Sequence, residues 1–279
     1  MKYLLYGHKG WIGSQVKELI DNPILGKARL DNYEEVRQEI LHYNPDRVIT
    51  TTGRTHGEGC NTIDYLEDNL EINLRDNLLG PLNLAKICNQ NQIHLTYLGT
   101  GCIFNYDENH NFSRGFNEED KANFFGSAYS IVKGITDQLI RSKNILNVRI
   151  RMPIVDYDNP RNFITKILNY EKICSIPNSM SVLSELLPIM IDMSKRGING
   201  TINLTNPGVI SHNEILEMYR DIIDKSFNWK NFTIKEQDTI LKSKRSNNYL
   251  NTTKLQNLYP RVKNIKDSVR DILKNYNKI

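Results

Sequence analysis

Three glycines at positions 7, 10 and 13, set between an apolar run and a helical pattern, restrict this chain more than any other stretch. Lys2-Tyr3-Leu4-Leu5-Tyr6 reads as a strand. Gly7-His8-Lys9-Gly10-Trp11-Ile12-Gly13 reads as the turn leaving it, and Ser14 to Ile20 as a helix. This spacing makes a tight turn, lets the backbone approach a pyrophosphate, and packs helix closely on strand, with the helix N-terminus facing the phosphates. A purely structural turn is the plain alternative. The acidic residue awaited ~20 positions later is indistinct. The second strand is expected at Ala28-Arg29-Leu30, with Asp31 next to it as the ribose candidate. Lys9, Lys27 and Arg29 lie nearby, and a basic neighbourhood favours the 2′-phosphate of NADP over the free diol of NAD. Merely solvated surface cations would give the same pattern.

The elements that follow extend the first one. Tyr33 to Tyr43 reads as a helix, Arg47 to Thr52 as a strand ended by Gly53-Arg54-Thr55, and Asn69 to Asn89 as a long helix irregular near Gly80-Pro81. Leu95 to Phe104 is the central strand, running into the turn Gly99-Thr100-Gly101-Cys102. An irregular segment over 105–126 is placed at the rim of a cleft. A helix from Ser127 to Ser142 and a strand from Leu146 to Arg151 come next. Alternating strands and helices predict a Rossmann-like, doubly wound α/β parallel sheet covered on both faces. After Pro153 the texture changes. A short helix is expected over Phe163–Tyr170, an apolar helix over Leu183–Lys195, a strand over Thr201–Thr205, and a helix capped by Ser211 with Glu214 at its third position. Residues 1–155, with a further strand and helix from about 181–206, are therefore assigned to the cofactor unit. Residues 156–180 and 207–279 are assigned to a smaller, interleaved substrate lobe.

Composition closes other routes. The 36 Lys and Arg exceed the 32 Asp and Glu by only four and are spread along the chain, which argues against nucleic acid as a partner. No apolar run approaches the ~18 residues of a membrane span. The chain opens straight into a strand without a leader pattern, so a cytoplasmic location is expected. Cys60, Cys88, Cys102 and Cys174 lack metal-ligand spacing and are expected as free thiols.

The chemistry concentrates at two places. Tyr129 and Lys133 are four apart on a helical pattern and share a face. A tyrosine titrates near ~10, and an adjacent ammonium is expected to lower that value, making Tyr129 a proton donor near neutrality. Lys133 also suits ribose hydroxyls, and Thr100 at the strand end suits a substrate oxygen. The other place is Cys102. It is either a small buried hydrophobe or a proton-exchanging thiol, since a thiol titrates near ~8.5 and lower beside positive charge.

Longer runs narrow the choice. The glycine turn with Tyr129-x-x-x-Lys133 resembles the extended short-chain dehydrogenase/reductases. Gly10-Trp11-Ile12-Gly13, Gly99 to Phe104, Arg149-Ile150-Arg151-Met152-Pro153, Asn159 to Ile167, Ile176 to Met180, Thr205 to Val209 and Ser211 to Leu216 are similar to the bifunctional UDP-4-keto-6-deoxy-D-glucose 3,5-epimerase/4-reductases. The resemblance spans nearly the whole chain and is weakest over 105–113 and after residue 251. It implies NADPH (NADP+) as cofactor and UDP-4-keto-6-deoxy-D-glucose as substrate. It further implies Cys102 and Lys166 exchanging protons beside the ketone, Thr100, Tyr129 and Lys133 serving reduction, and a possible homodimer. Cofactor contacts are expected from Gly7, Lys9, Gly10, Trp11, Ile12, Gly13, Asp31, Gly53, Arg54, Tyr129 and Lys133. Substrate contacts are expected from Arg161, Asn162, Lys172 and Arg245, where arginine suits a diphosphate. A solvated or phosphate-binding lysine remains the alternative for Lys166. A reductase without epimerase activity and a non-catalytic NADP-binding scaffold remain the rival functions. An upstream 4,6-dehydratase fits less well, because Gly101-Cys102 stands where that chemistry usually places acidic residues.

Overall fold

Six parallel strands in the order β2-β1-β3-β4-β5-β8 form the central sheet of the structure, a computed structural model that describes residues 1–276. The strands are β1 (Tyr3–Tyr6), β2 (Ile24–Leu25), β3 (Arg47–Thr50), β4 (His94–Thr100), β5 (Ile145–Ile150) and β8 (Gly200–Asn203). A two-stranded sheet of β6 (Pro153–Ile154) and β7 (Ser181–Val182) lies beyond it. Helices α1 (Trp11–Leu19) and α8 (Leu183–Lys195) cover one face with a cluster containing Val16, Leu186, Met190 and Met193. Helices α2 (Tyr33–Tyr43) and α5 (Gly80–Gln90) cover the other with Val36, Ile40, Leu84 and Ile87. A sheet sealed on both faces explains why β1 and β4 are buried at every position.

One sequence expectation is corrected. The second strand is Ile24–Leu25, paired Leu4↔Ile24, and not Ala28–Leu30. Gly26 gives its amide to the Leu5 carbonyl at 3.0 Å, and a Cβ there would fall 2.4 Å from the Tyr6 ring. The chain leaves the sheet at that point, and Arg29 lies exposed. The long helix is irregular next to Gly80-Pro81, as expected: α4 (Leu70–Leu74), a π-helical turn (Arg75–Leu79) and α5 follow one another without a gap, and a separate short helix, α3 (Tyr65–Asp68), precedes them. Pro81 has no amide hydrogen for the α-helical ladder, and a wider turn before it absorbs the lost bond. The π turn also aims the buried Asn77 at the end of β3. There its carboxamide accepts from Arg54 N at 2.8 Å and donates to Arg54 O at 2.9 Å.

The later segments build a separate apolar cluster. Ile164 and Ile167 of α7 (Phe163–Leu168) meet Ile215, Leu216 and Tyr219 of α9 (His212–Ile222) and Val269 and Ile272 of α12 (Ile265–Lys274). Ser211 and Glu214 form the expected capping box on α9. Two short helices, α10 (Ile234–Ile240) and α11 (Thr253–Leu258), complete the segment. Among the described residues no helix is long and apolar enough to cross a membrane.

Helix α6 (Ala128–Leu139) is pinned to β5 by a buried ion pair. Asp137 accepts from Arg149 Nε at 2.9 Å and Nη2 at 2.7 Å, and from Asn147 Nδ2 at 2.7 Å. Asp137→Ala would strand the Arg149 charge in the interior and is expected to cost about 3–5 kcal/mol. Urea denaturation should show it; a loss below 1 kcal/mol, on the order of a surface pair, would refute the reading.

Candidate active site

The glycine turn has the geometry a dinucleotide needs. Gly7 sits at φ +82°, in the left-handed region. A Cβ on Gly13 would lie 2.0 Å from the Gly7 carbonyl oxygen, so α1 and β1 touch with no room for a side chain. Gly10 N–H donates to Gly7 O at 2.9 Å and closes the turn. Gly10 caps α1 with no side-chain acceptor, so the first amides of the helix, from Trp11 and Ile12, are open to an anion. These residues fit a pyrophosphate. Gly13→Ala is expected to lower NADPH affinity at least about tenfold, measured by fluorescence titration; unchanged affinity would separate the turn from the cofactor.

The other expected cofactor residues are spread around this turn. Lys9 is exposed on it, and Trp11 donates its indole N–H to the Tyr157 hydroxyl at 3.2 Å. Gly53 and Arg54 lie at the end of β3, where Arg54 pairs with Asp76 at 2.9 Å. Asp31 is exposed and pairs with Arg29 at 3.1 Å.

The end of β4 meets α6. Ser127 caps α6 by accepting from Ser130 N at 3.0 Å, and Glu67 of α3 accepts from Ala128 N at 2.9 Å. The helix is therefore fixed at its first turn. Tyr129 and Lys133 are both buried on it, and Thr100 at the end of β4 lies near the Tyr129 hydroxyl. The expected effect of Lys133 on Tyr129 is corrected. Burial, reinforced by the Cys102 thiol, pushes the Tyr129 phenol up, so it keeps its proton. The Lys133 ammonium is directed elsewhere: it donates to the buried Tyr97 hydroxyl and lies 4.6 Å from that ring's centroid. Burial pulls Lys133 down to about 8, against the opposing pull of Asp137 and Cys102.

Cys102 is half-buried at the mouth of this strand end, its amide donating to Thr100 Oγ1 at 3.1 Å. Tyr129, Lys133 and Arg151 are the titratable and charged groups near it. It is not sealed in packing. Cys88, by contrast, is fully buried and its thiol is pushed up to about 12.

Lys166 stands on α7 in a second group of side chains. Burial lowers its amine first, followed by the positive charges of Arg161 and Arg245. His56 is lowered by burial and then by the charges of Arg161, Arg54 and Lys166, so these cations lie near it. Arg161 has no carboxylate partner among the described residues. Arg245 is held by both oxygens of Asp64 at 3.1 and 2.9 Å, and Asp64 is lowered to about 2 despite its burial.

Two expected substrate contacts lie elsewhere. Asn162 is fully buried, caps α7 and bonds the backbone of Val155 and Tyr157. It shapes the loop that carries Arg161. Lys172 is exposed and acts on Glu236, outside this group. Sequence reasoning overlooked Tyr97, Asp137, Asn147 and His56. A signal did exist for part of this set: Asn147, Arg149 and Arg151 recur every second residue in a strand otherwise apolar, which marks a polar row inside the sheet.

No family model matches the chain. It is 52% identical over 284 residues to protein L780 of Acanthamoeba polyphaga mimivirus, covering 98% of each. The crystal structure of that protein, described as the L780 UDP-rhamnose synthase, superposes with a TM-score of 0.96 over 99% of both chains. The bifunctional dTDP-4-dehydrorhamnose 3,5-epimerase/dTDP-4-dehydrorhamnose reductase of Arabidopsis thaliana is 45% identical over 275 residues, 96% of this chain and 90% of that protein. The dTDP-4-dehydrorhamnose reductase of Bacillus anthracis str. Ames, crystallised with NADP, shares the fold at a TM-score of 0.81, 17% identity and 99% coverage of each chain. Identity of this depth along the whole length, on a glycine turn, a Tyr129–Lys133 helix and a half-exposed thiol, means that the chain belongs to the family of nucleotide-sugar 3,5-epimerase/4-reductases.

Proposed function

We propose that the chain converts UDP-4-keto-6-deoxy-D-glucose into UDP-L-rhamnose by epimerising C3 and C5 and reducing the C4 ketone. The observation that carries this reading is the half-exposed Cys102 beside Tyr129 and Thr100. A ketone reducer needs a hydride and one proton donor, and the thiol would have no task there. Protons on carbons beside a ketone are acidic, and inverting those centres takes a base on one side of the ring and an acid on the other. Cys102 and Lys166 are assigned those two positions. Lys166 is shifted toward neutrality by burial first and then by its cationic neighbours, which suits it to exchange protons rather than only to bind them.

NADPH, when bound, supplies the hydride for C4. Gly7, Gly10, Gly13 and the open N-terminus of α1 would hold its pyrophosphate, and Lys133, which donates to Tyr97, would have to turn from that hydroxyl to reach its ribose. Tyr129 keeps its proton through burial and gives it to the C4 oxygen, which Thr100 orients. Arg161 is the diphosphate ligand this arrangement favours, since Arg245 is committed to Asp64. Residues 1–155 with 181–206 form the cofactor unit in this reading, and 156–180 with 207–279 the substrate unit.

The test is incubation with the UDP- and dTDP-linked keto sugars in deuterated water, without and then with NADPH, followed by NMR of the product. Deuterium at C3 and C5 without reductant and a rhamnose-configured product with it support the proposal. Reduction without deuterium leaves a reductase alone.

A further inference from the structure

Arg149 and Arg151 lie two residues apart and are both buried, at 0% and 1% exposure, yet their charges are met differently. Arg149 faces the carboxylate of Asp137. Arg151 has no carboxylate partner among the described residues. Its Nη1 donates to Gly101 O at 3.2 Å and Ser246 Oγ at 3.0 Å. Its Nη2 donates to Asn178 Oδ1 at 2.8 Å and Ser246 O at 3.0 Å. Its Nε is buried without a partner. Neutral oxygens satisfy hydrogen-bond geometry without cancelling a charge, and a buried cation with no anion carries a heavy desolvation cost.

The titratable groups around Arg151 reduce the possibilities to one. The Tyr106 phenol is pushed up by burial and stays neutral. Burial and Arg151 itself push the His212 imidazole down to about 4, so it too is neutral near pH 7. Tyr129 keeps its proton, and Lys133 carries the same sign as Arg151 or none. The remaining group is the thiol of Cys102, half-buried and one residue beyond the Gly101 that touches Arg151. Contact along the chain is tight. A Cβ on Gly101 would fall 2.9 Å from Arg151 Cγ, and the Gly101 carbonyl that accepts from Arg151 belongs to the peptide whose nitrogen is Cys102 N.

We propose that Arg151 is the buried counter-charge of a Cys102 thiolate, and so a positioning residue for the proton exchange. The inference rests on the reading of Cys102 given above. In that step the thiolate takes a proton from the carbon beside the ketone and the C–H electron pair moves to the carbonyl oxygen as an enolate. The carbon regains a proton from the other side while the thiol returns its own to solvent. Arg151 stabilises the charged sulfur at the beginning and end of the cycle without touching the sugar.

The test reads alkylation of Cys102 by iodoacetamide across about pH 5 to 9, followed by mass spectrometry of its peptide. Asn178→Asp keeps the volume and sets a carboxylate against Nη2, cancelling the charge. Arg151→Met removes it. Both are expected to move the alkylation midpoint up by about one pH unit, a tenfold loss of thiolate near neutrality. Deuterium exchange into the sugar should fall in step and by more than reduction does. Arg151→Lys should restore much of the profile. If Arg151→Met does not fold, folded Asn178→Asp decides. A profile for Asn178→Asp superimposed on the parent overturns the proposal. A displaced profile in a parent that exchanges no sugar deuterium upholds the arginine–thiolate pair and sinks the functional reading instead.

Discussion

Tyr129→Phe is expected to slow ketone reduction by about 10³-fold while deuterium exchange at C3 and C5 continues, because general acid catalysis by a placed side chain contributes about 10²–10⁴. The substitution removes one oxygen from a buried ring and leaves α6 anchored by Ser127, Glu67 and Asp137. Proton donation is the function that should disappear. Burial and the nearby thiol raise the phenol, so across the neutral range the side chain is in its acid form. A second consequence concerns pH. Lys133 loses its proton as pH rises through about 8. Reduction should therefore bend downward above that value, and the bend should disappear in Lys133→Arg, which stays charged throughout. Single-turnover consumption of NADPH measures both effects. Reduction at parental rate in Tyr129→Phe would remove this residue from the mechanism.

Cys102→Ala is expected to do the reverse. Exchange at the carbon that the thiol serves should fall by about 10²–10⁴, with reduction of a keto sugar already in the rhamnose configuration kept within a few-fold. A half-exposed side chain can be truncated at small cost to the fold, so the loss would be chemical. Lys166→Gln should remove exchange at the other carbon. NMR in deuterated water resolves the two positions in one experiment. Full exchange at both carbons in Cys102→Ala would leave the thiol without a role and return the site to ketone reduction.

The contrast between these two variants reflects how the site is assembled. Tyr129 and Lys133 belong to one helix, and their four-residue spacing places them on one face wherever that helix packs. Cys102 and Lys166 are on separate elements, the end of β4 and α7, and only the packing of the later segments brings Lys166 beside Arg161 and Arg245. Asn162 shows the same distinction from the other side. It is expected as a substrate contact, but its carboxamide is spent inside the chain, holding the loop that presents Arg161.

The sequence by itself determined the local chemistry: the glycine turn, the alternation that yields a parallel sheet, the cap at Ser211, and the pairing of Tyr129 with Lys133. Each depends on neighbours within a few residues, where periodicity and turn geometry act directly. Only the tertiary structure decided where charge would be stable. It turned Lys133 onto Tyr97, raised Tyr129 instead of lowering it, tied Arg245 to Asp64, and left Arg151 buried with no carboxylate. Proton affinity depends on burial and on partners distant in the chain, and neither is written in residue spacing.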